Sequence, residues 1–199
     1  MHDLSAVQVR RTTISIMSSV MTQATRVEFI NPFIIAVSKT LETMVGCKVV
    51  REPPQVKKGK TALHPVSGII GLSGVIVGTV VLTMSEALAL KSASAMLMEE
   101  CTEFNSDVFD AVGELTNVIA GNAKAQLDEY KLSLSLPNVI YGKEAELRFP
   151  ERCQPISIPF RTDFGPMAIE MGFTDPHTQP YDSSARVSKS STKPPPQTG

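Results

Sequence analysis

Residues Asp107 to Glu129 read DVFDAVGELTNVIAGNAKAQLDE, and their periodicity decides how the rest of the chain is read. At about 100° per residue the stretch separates into two stripes. Val108, Val112, Leu115, Ile119 and Ala123 line one side, with Phe109 and Leu127 on its flank. Asp110, Glu114, Asn117 and Gly121 fall opposite, at spacings of four, three and four. Such spacings stack side chains along one helix surface. One face therefore enters a core, while the other holds carboxylates, an amide and a glycine outward in a row. A polar stripe by itself is what any surface helix shows.

The elements on either side are local and legible. Asn105-Ser106 caps the central helix, and Ser85 opens the helix before it, with Leu88, Ala89, Ala93, Met96 and Leu97 as its buried face. Upstream of that, Val66 to Met84 reads VSGIIGLSGVIVGTVVLTM, without a charge. Its length admits a membrane span. Its glycines, its β-branched residues and the Leu72-Ser73-Gly74 turn signal favour two strands of a hairpin. Strands this apolar suit a sheet buried on both faces or lying at a dimer interface. Further upstream, Asn31-Pro32 predicts a helix entry, and Phe33, Val37, Leu41 and Met44 continue it to a stop at Gly46. Lys48–Glu52 predicts a short strand ended by Pro53-Pro54, and Lys57-Lys58-Gly59-Lys60 a solvated loop.

Downstream, Leu132, Leu134 and Leu136 alternate with serines, predicting a half-buried strand ended by Pro137. Glu144 to Phe149 is a further candidate strand. Ile156, Ile158 and Phe160, then Met167, Ile169, Met171 and Phe173, alternate about the turn Thr162 to Gly165, predicting a hairpin.

Composition excludes several classes. With 199 residues, 42% hydrophobic and 20% charged, the chain is sized for one globular domain. A net charge of −1 gives no field for nucleic acid or an anionic membrane. Three scattered cysteines, Cys47, Cys101 and Cys153, without a C-x-x-C, fit a reducing cytoplasm better than a disulfide framework or a zinc site. Neither a span nor a signal peptide is read, so a cytoplasmic location is expected. The expected organisation is a poorly specified N-terminal arm at 1–26, one folded unit at 27–175, and a disordered Pro/Ser-rich tail at 176–199.

The folded unit carries an internal echo. Ser38, Glu42 and Val45 in the first helix overlay Asp110, Glu114 and Asn117 in the central one. Both helices lead to strands that meet a proline, and each half then holds a glycine-turned hairpin. The expectation is an α+β, pseudo-symmetric duplication with long helices packed on a mixed β-sheet.

Asp110, Glu114, Asn117 and the surrounding GELTNVIAGN resemble the signature helix of the CheC/CheX/FliY phosphatases, which dephosphorylate the chemotaxis response regulator CheY. The resemblance covers about Val27 to Asp175. Only the second half has both Glu and Asn, which makes the chain most like CheX. The resemblance implies an aspartyl-phosphate protein phosphatase whose partner is a phosphorylated CheY-like receiver domain. It implies that Asn117 orients the attacking water and Glu114 anchors the partner's lysine, with Asp110 and Gly121 as partner contacts. It implies no cofactor or metal in this chain, the Mg²⁺ belonging to the receiver, and a homodimer, for which the uncharged strands of Val66–Met84 are candidates for sheet continuation. The alternative is a non-catalytic, CheC-like module that docks on a response regulator or a flagellar motor component.

Overall fold

A computed structural model describes residues 28–151 and 153–174. The expected arm and tail lie outside the described residues. The first helix, α1, occupies 28–45, its last turn Leu41–Val45 widening into a π-helical turn. Gly46 stops it at φ 72°, returning its N–H to the Leu41 carbonyl. The start expected at Asn31-Pro32 is too late: residues 28–31 are already helical and Pro32 lies within the helix. Proline is tolerated near a helix start, where it removes at most one backbone bond. What extends the helix is Phe29, fully buried one turn before Phe33 and packed on Tyr130 and Phe173 with ring centroids 4.5 and 5.4 Å away.

Two more helices follow the expected caps. In α2, Glu86–Leu97, the Ser85 hydroxyl accepts from the Leu88 N–H. In α3, Ser106–Ala125, the Asn105 side chain accepts from the Val108 N–H. The apolar stripe of α3 is buried as read, from Val108 to Ala123. The helix stops at Ala125, short of Glu129, and a 3-10 turn at Asp128–Tyr130 takes over.

The eight strands among the described residues form one sheet, and every described pairing is antiparallel, so the mixed sheet expected from sequence is corrected. In chain order they are β1 (Val49–Arg51), β2 (Gln55–Val56), β3 (Val66–Ser73), β4 (Val77–Met84), β5 (Ser133–Leu134), β6 (Asn138–Tyr141), β7 (Ile156–Thr162) and β8 (Gly165–Thr174). Their order across the sheet is β1/β2, β7, β8, β4, β3, β5/β6. Exchanging the two halves of the chain turns this order into its own reverse. Each half is a helix, an interrupted edge strand and a hairpin, and each edge strand pairs with the other half's hairpin. The duplication is thus an interlocked pair, with β4 and β8 meeting at its centre.

The strands before the prolines end as expected, β1 at Arg51 and β5 at Leu134, and beyond each proline the chain rejoins the same neighbour as β2 and β6. Arg51 opposes Phe160 and Gln55 opposes Ser157, four steps on one strand against three on its partner. Leu134 opposes Leu72 and Asn138 opposes Ile69, the same slip. Each is a β-bulge, and an edge position lets proline lack its N–H without breaking a ladder.

Val66, Ile70 and Leu72 of β3, with Val80, Leu82 and Met84 of β4, point into the main core under the helices. Gly68 is required there: a Cβ would overlap Thr116 of α3, so the helix rests on bare backbone. The other face of these strands is covered by chain near Ala62 and Leu147, which pack on Val81 with Ile69 and Phe149 alongside. The hairpin is therefore buried on both faces, as its composition predicts. Both its outer edges are taken, by β8 and by β5/β6, so Val66–Met84 has no edge left for sheet continuation into a second subunit. Residues 144–149 make no strand, only a single bridge from Glu146 to Thr61.

Lys58, Gly59 and Lys60 are exposed as a solvated loop requires, but Lys57 is not. Lys57 reaches under the sheet, where its Nζ lies 2.8 Å from Glu170 Oε1 and donates to the Thr61 carbonyl at 2.7 Å. Both charged side chains are essentially inaccessible. Burial raises the Glu170 carboxyl above its usual range, and the Lys57 ammonium pulls it partly back.

Candidate functional site

The face of α3 turned away from the sheet carries the predicted row. Asp110 and Glu114 are exposed, and Asn117 and Gly121 are half-buried beside them. The helix is unbroken from Ser106 to Ala125, so the three-residue step from Glu114 to Asn117 keeps both side chains on adjacent turns of one face. Among the described residues neither the Glu114 carboxylate nor the Asn117 amide is held by a hydrogen bond or an ion pair within the chain. A Cβ at Gly121 would meet open space, so internal packing does not require the glycine.

The helix that carries the row is tied down at both ends. At its start, Phe104 stacks on Tyr141 at 4.5 Å and 12°, with Phe109 completing the cluster. The Tyr141 hydroxyl donates to Glu86 Oε1 at 2.9 Å, which joins β6 to α2 and raises the phenol's pKa. Near its end, Asn122 Nδ2 donates to Thr40 Oγ1 of α1 at 3.2 Å. Position of the row is thus set by the aromatic cluster, the Gly68 contact and this cross-helix bond. A row on a fixed helix is held more closely than one on a loop.

The overlaid row in α1 is different. Glu42 is exposed, Ser38 donates back to the Ile34 carbonyl at 3.1 Å, and Val45 is buried in the core. The π-helical turn over Leu41–Val45 widens the backbone between Glu42 and Val45. That half presents a carboxylate with no amide beside it.

One flank of the α3 row went unread in the sequence. The second bulge brings Pro137 and Val139 against Gly113, whose added Cβ would lie 3.7 Å from Pro137 Cγ and 3.5 Å from Val139 Cγ2. Leu136, expected to be half-buried by its alternation, is 89% exposed on that bulge. No group of three or more His, Cys, Asp or Glu side chains sits together among the described residues to hold a metal. No helix among them is long and apolar enough to cross a membrane.

This duplicated α+β architecture is one that known proteins share. Residues 66–161 match the family described as chemotaxis phosphatase CheX. The CheY-P phosphatase CheX of Thermotoga maritima is 25% identical over 122 residues, 60% of this chain and 79% of that protein. Chemotaxis protein CheX of Vibrio vulnificus has the same fold, with a TM-score of 0.68 and 35% identity over 74% of this chain and 99% of that one. The CheX of a CheX–CheY–BeF3–Mg complex from Borrelia burgdorferi superposes with a TM-score of 0.63 at 26% identity, over 73% and 97% of the two chains. The chain belongs to the CheC/CheX/FliY family and within it is most like CheX.

Proposed function

We propose that this chain hydrolyses the aspartyl phosphate of a CheY-like response regulator, with Glu114 and Asn117 as the working pair. The observation that carries the reading is the presentation of both side chains, unengaged within the described chain, on one face of a fixed helix. Support for the partner comes from the Borrelia burgdorferi relative, solved as a complex with CheY, BeF3 and Mg.

Hydrolysis needs water in line with the phosphorus and opposite the aspartyl oxygen. The water oxygen bonds to phosphorus as the bond from phosphorus to the carboxyl oxygen breaks. The products are inorganic phosphate and a free aspartate, and the water's proton leaves on a phosphate oxygen. Little covalent chemistry falls to the protein, so positioning supplies most of the rate. An amide suits that work, since it donates and accepts at once and stays neutral. Asn117 orients the water. Glu114, one turn earlier, pairs with the receiver's lysine and fixes how the helix enters the cleft. Asp110 and Gly121 extend the contact at either end. The Mg²⁺ that offsets phosphoryl charge belongs to the receiver's acidic pocket.

Phosphate release from a phosphorylated receiver tests the pair. Glu114→Ala should raise KM and lower kcat together, by about tenfold or more in kcat/KM, the scale of a desolvated charge pair lost at an interface. Multiple turnovers per enzyme are expected. Phosphate loss only at stoichiometric protein would instead favour the docking module.

A homodimer and a cytoplasmic setting complete the reading. The edges available to a second subunit are β1/β2 and β5/β6, since an open strand edge is the usual template for pairing. Light scattering at micromolar concentration should give twice the chain mass, and a monomer there removes the dimer from the proposal.

A further inference from the structure

We propose that Leu136, on the bulge between β5 and β6, is a hydrophobic anchor for the same phosphorylated receiver, gripping it beside the Glu114–Asn117 row. This rests on the proposed function and adds to it a second point of contact of different chemistry.

The bulge places the residue. Leu134 opposes Leu72 and Val139 opposes Gly68, and both of those β3 positions face the helices. Counting by twos from either side, Leu136 and Pro137 both fall on the helix side of the sheet, opposite Ile70. Pro137 packs against Gly113 of α3. Leu136, next to it, is left 89% exposed. Gly113 is four residues before Asn117, a rise of about 6 Å along the helix. A standard interface covers about 800 Å² on each partner, a patch of roughly 16 Å radius. A patch of that size centred on Asn117 extends past Gly113 to the bulge packed against it, where Leu136 stands.

The residue is held ready. Ser135 donates its N–H to the Gly71 carbonyl at 2.9 Å, its hydroxyl accepts from the Gly71 N–H at 2.9 Å and donates to the Leu136 carbonyl at 2.8 Å. A rigid backbone lowers the ordering cost of contact. Nothing in the fold calls for leucine there: the corresponding place in the first half's bulge is taken by Pro53. The row itself is polar, so an apolar side chain at its rim supplies the desolvating contact that a charge-and-amide pair lacks.

The test uses the full chain with a CheY-like receiver domain phosphorylated by acetyl phosphate, and with the same domain activated by beryllofluoride and Mg²⁺. Leu136→Ala should raise KM by about 5- to 30-fold with kcat unchanged, and Leu136→Glu should raise it more. Val50→Ala, exposed on the opposite edge strand, should leave KM unmoved. Thermal unfolding of the Leu136 variants should match that of the unaltered chain, because the side chain is outside the core. If both variants bind and turn over within twofold of the unaltered protein, the anchor is wrong while the phosphatase reading stands. If the unaltered chain binds the activated receiver without turnover, its dissociation constant takes the place of KM, and an unchanged value in Leu136→Glu overturns the anchor. If it does not bind at all, both proposals fall.

Discussion

Asn117→Ala should lower kcat for phosphate release by about a hundredfold or more while leaving affinity for the activated receiver nearly unchanged. The two parameters separate because the amide's proposed partner is the attacking water, whose position matters in the transition state more than in the bound complex. Asn117 is half-buried and makes no hydrogen bond or ion pair among the described residues, so removing its amide leaves no orphaned partner inside the fold. Its replacement is also a favourable one for a helix. Loss of turnover would then report on chemistry and not on folding. Measured single-turnover rates equal to those of the unaltered chain would remove Asn117 from the mechanism.

The largest effect on stability is expected far from that row. Lys57→Met should destabilise the fold by about 3–5 kcal/mol at pH 7, because it strands the Glu170 carboxylate in a site with no water access. Glu170 has little else to lean on. Among the described residues its Oε2 has no hydrogen-bond partner, and neither does Ser157 Oγ, although Ser157 stands directly opposite it on β7. Burial already lifts this carboxyl above the usual value of 4.5, and without the ammonium it rises further. A carboxyl whose folded pKa exceeds its unfolded one binds more protons in the folded state, so stability falls as pH climbs from 4.5 through the folded value. The deficit of Lys57→Met should accordingly shrink as pH drops toward 4.5. Adding Glu170→Gln should recover much of the loss at pH 7, since an amide carries no charge to strand. Urea unfolding of the unaltered chain and the two variants at neutral and mildly acid pH reads this directly. A loss below about 1 kcal/mol at pH 7 would mean that water or another group reaches the carboxylate. The pair clamps a loop to the sheet face opposite the helices, so kcat of the folded variant should be unaltered.

The two halves of the chain illustrate why some features were readable and others were not. Asn105, Ser85 and Gly46 act on backbone groups within a few residues, and each caps or stops the helix its neighbours predict. The failure at Asn31-Pro32 has the same origin: a local proline signal was outweighed by Phe29, whose ring finds Tyr130 and Phe173 far along the chain. Leu136 was misread because alternation allots one residue to each place, whereas at the bulge Leu136 and Pro137 share the place opposite Ile70, and it is Pro137 that packs on Gly113. Lys57 was misread because a basic run looks solvated until a carboxylate more than a hundred residues away is placed beside it.

The family resemblance singled out Glu114 and Asn117 within their stripe, and from the sequence alone came the α3 helix with its two opposed stripes, the two hairpins and the weak duplication. These follow from periodicity and short-range hydrogen bonding, which the order of residues encodes directly. Tertiary structure alone decided that the halves exchange edge strands into one antiparallel sheet, that both sheet edges of Val66–Met84 are taken within the chain, that Val45 turns into the core, and that Lys57 is paired with Glu170. Each of those depends on which distant segment supplies the partner, and local pattern carries no record of that choice.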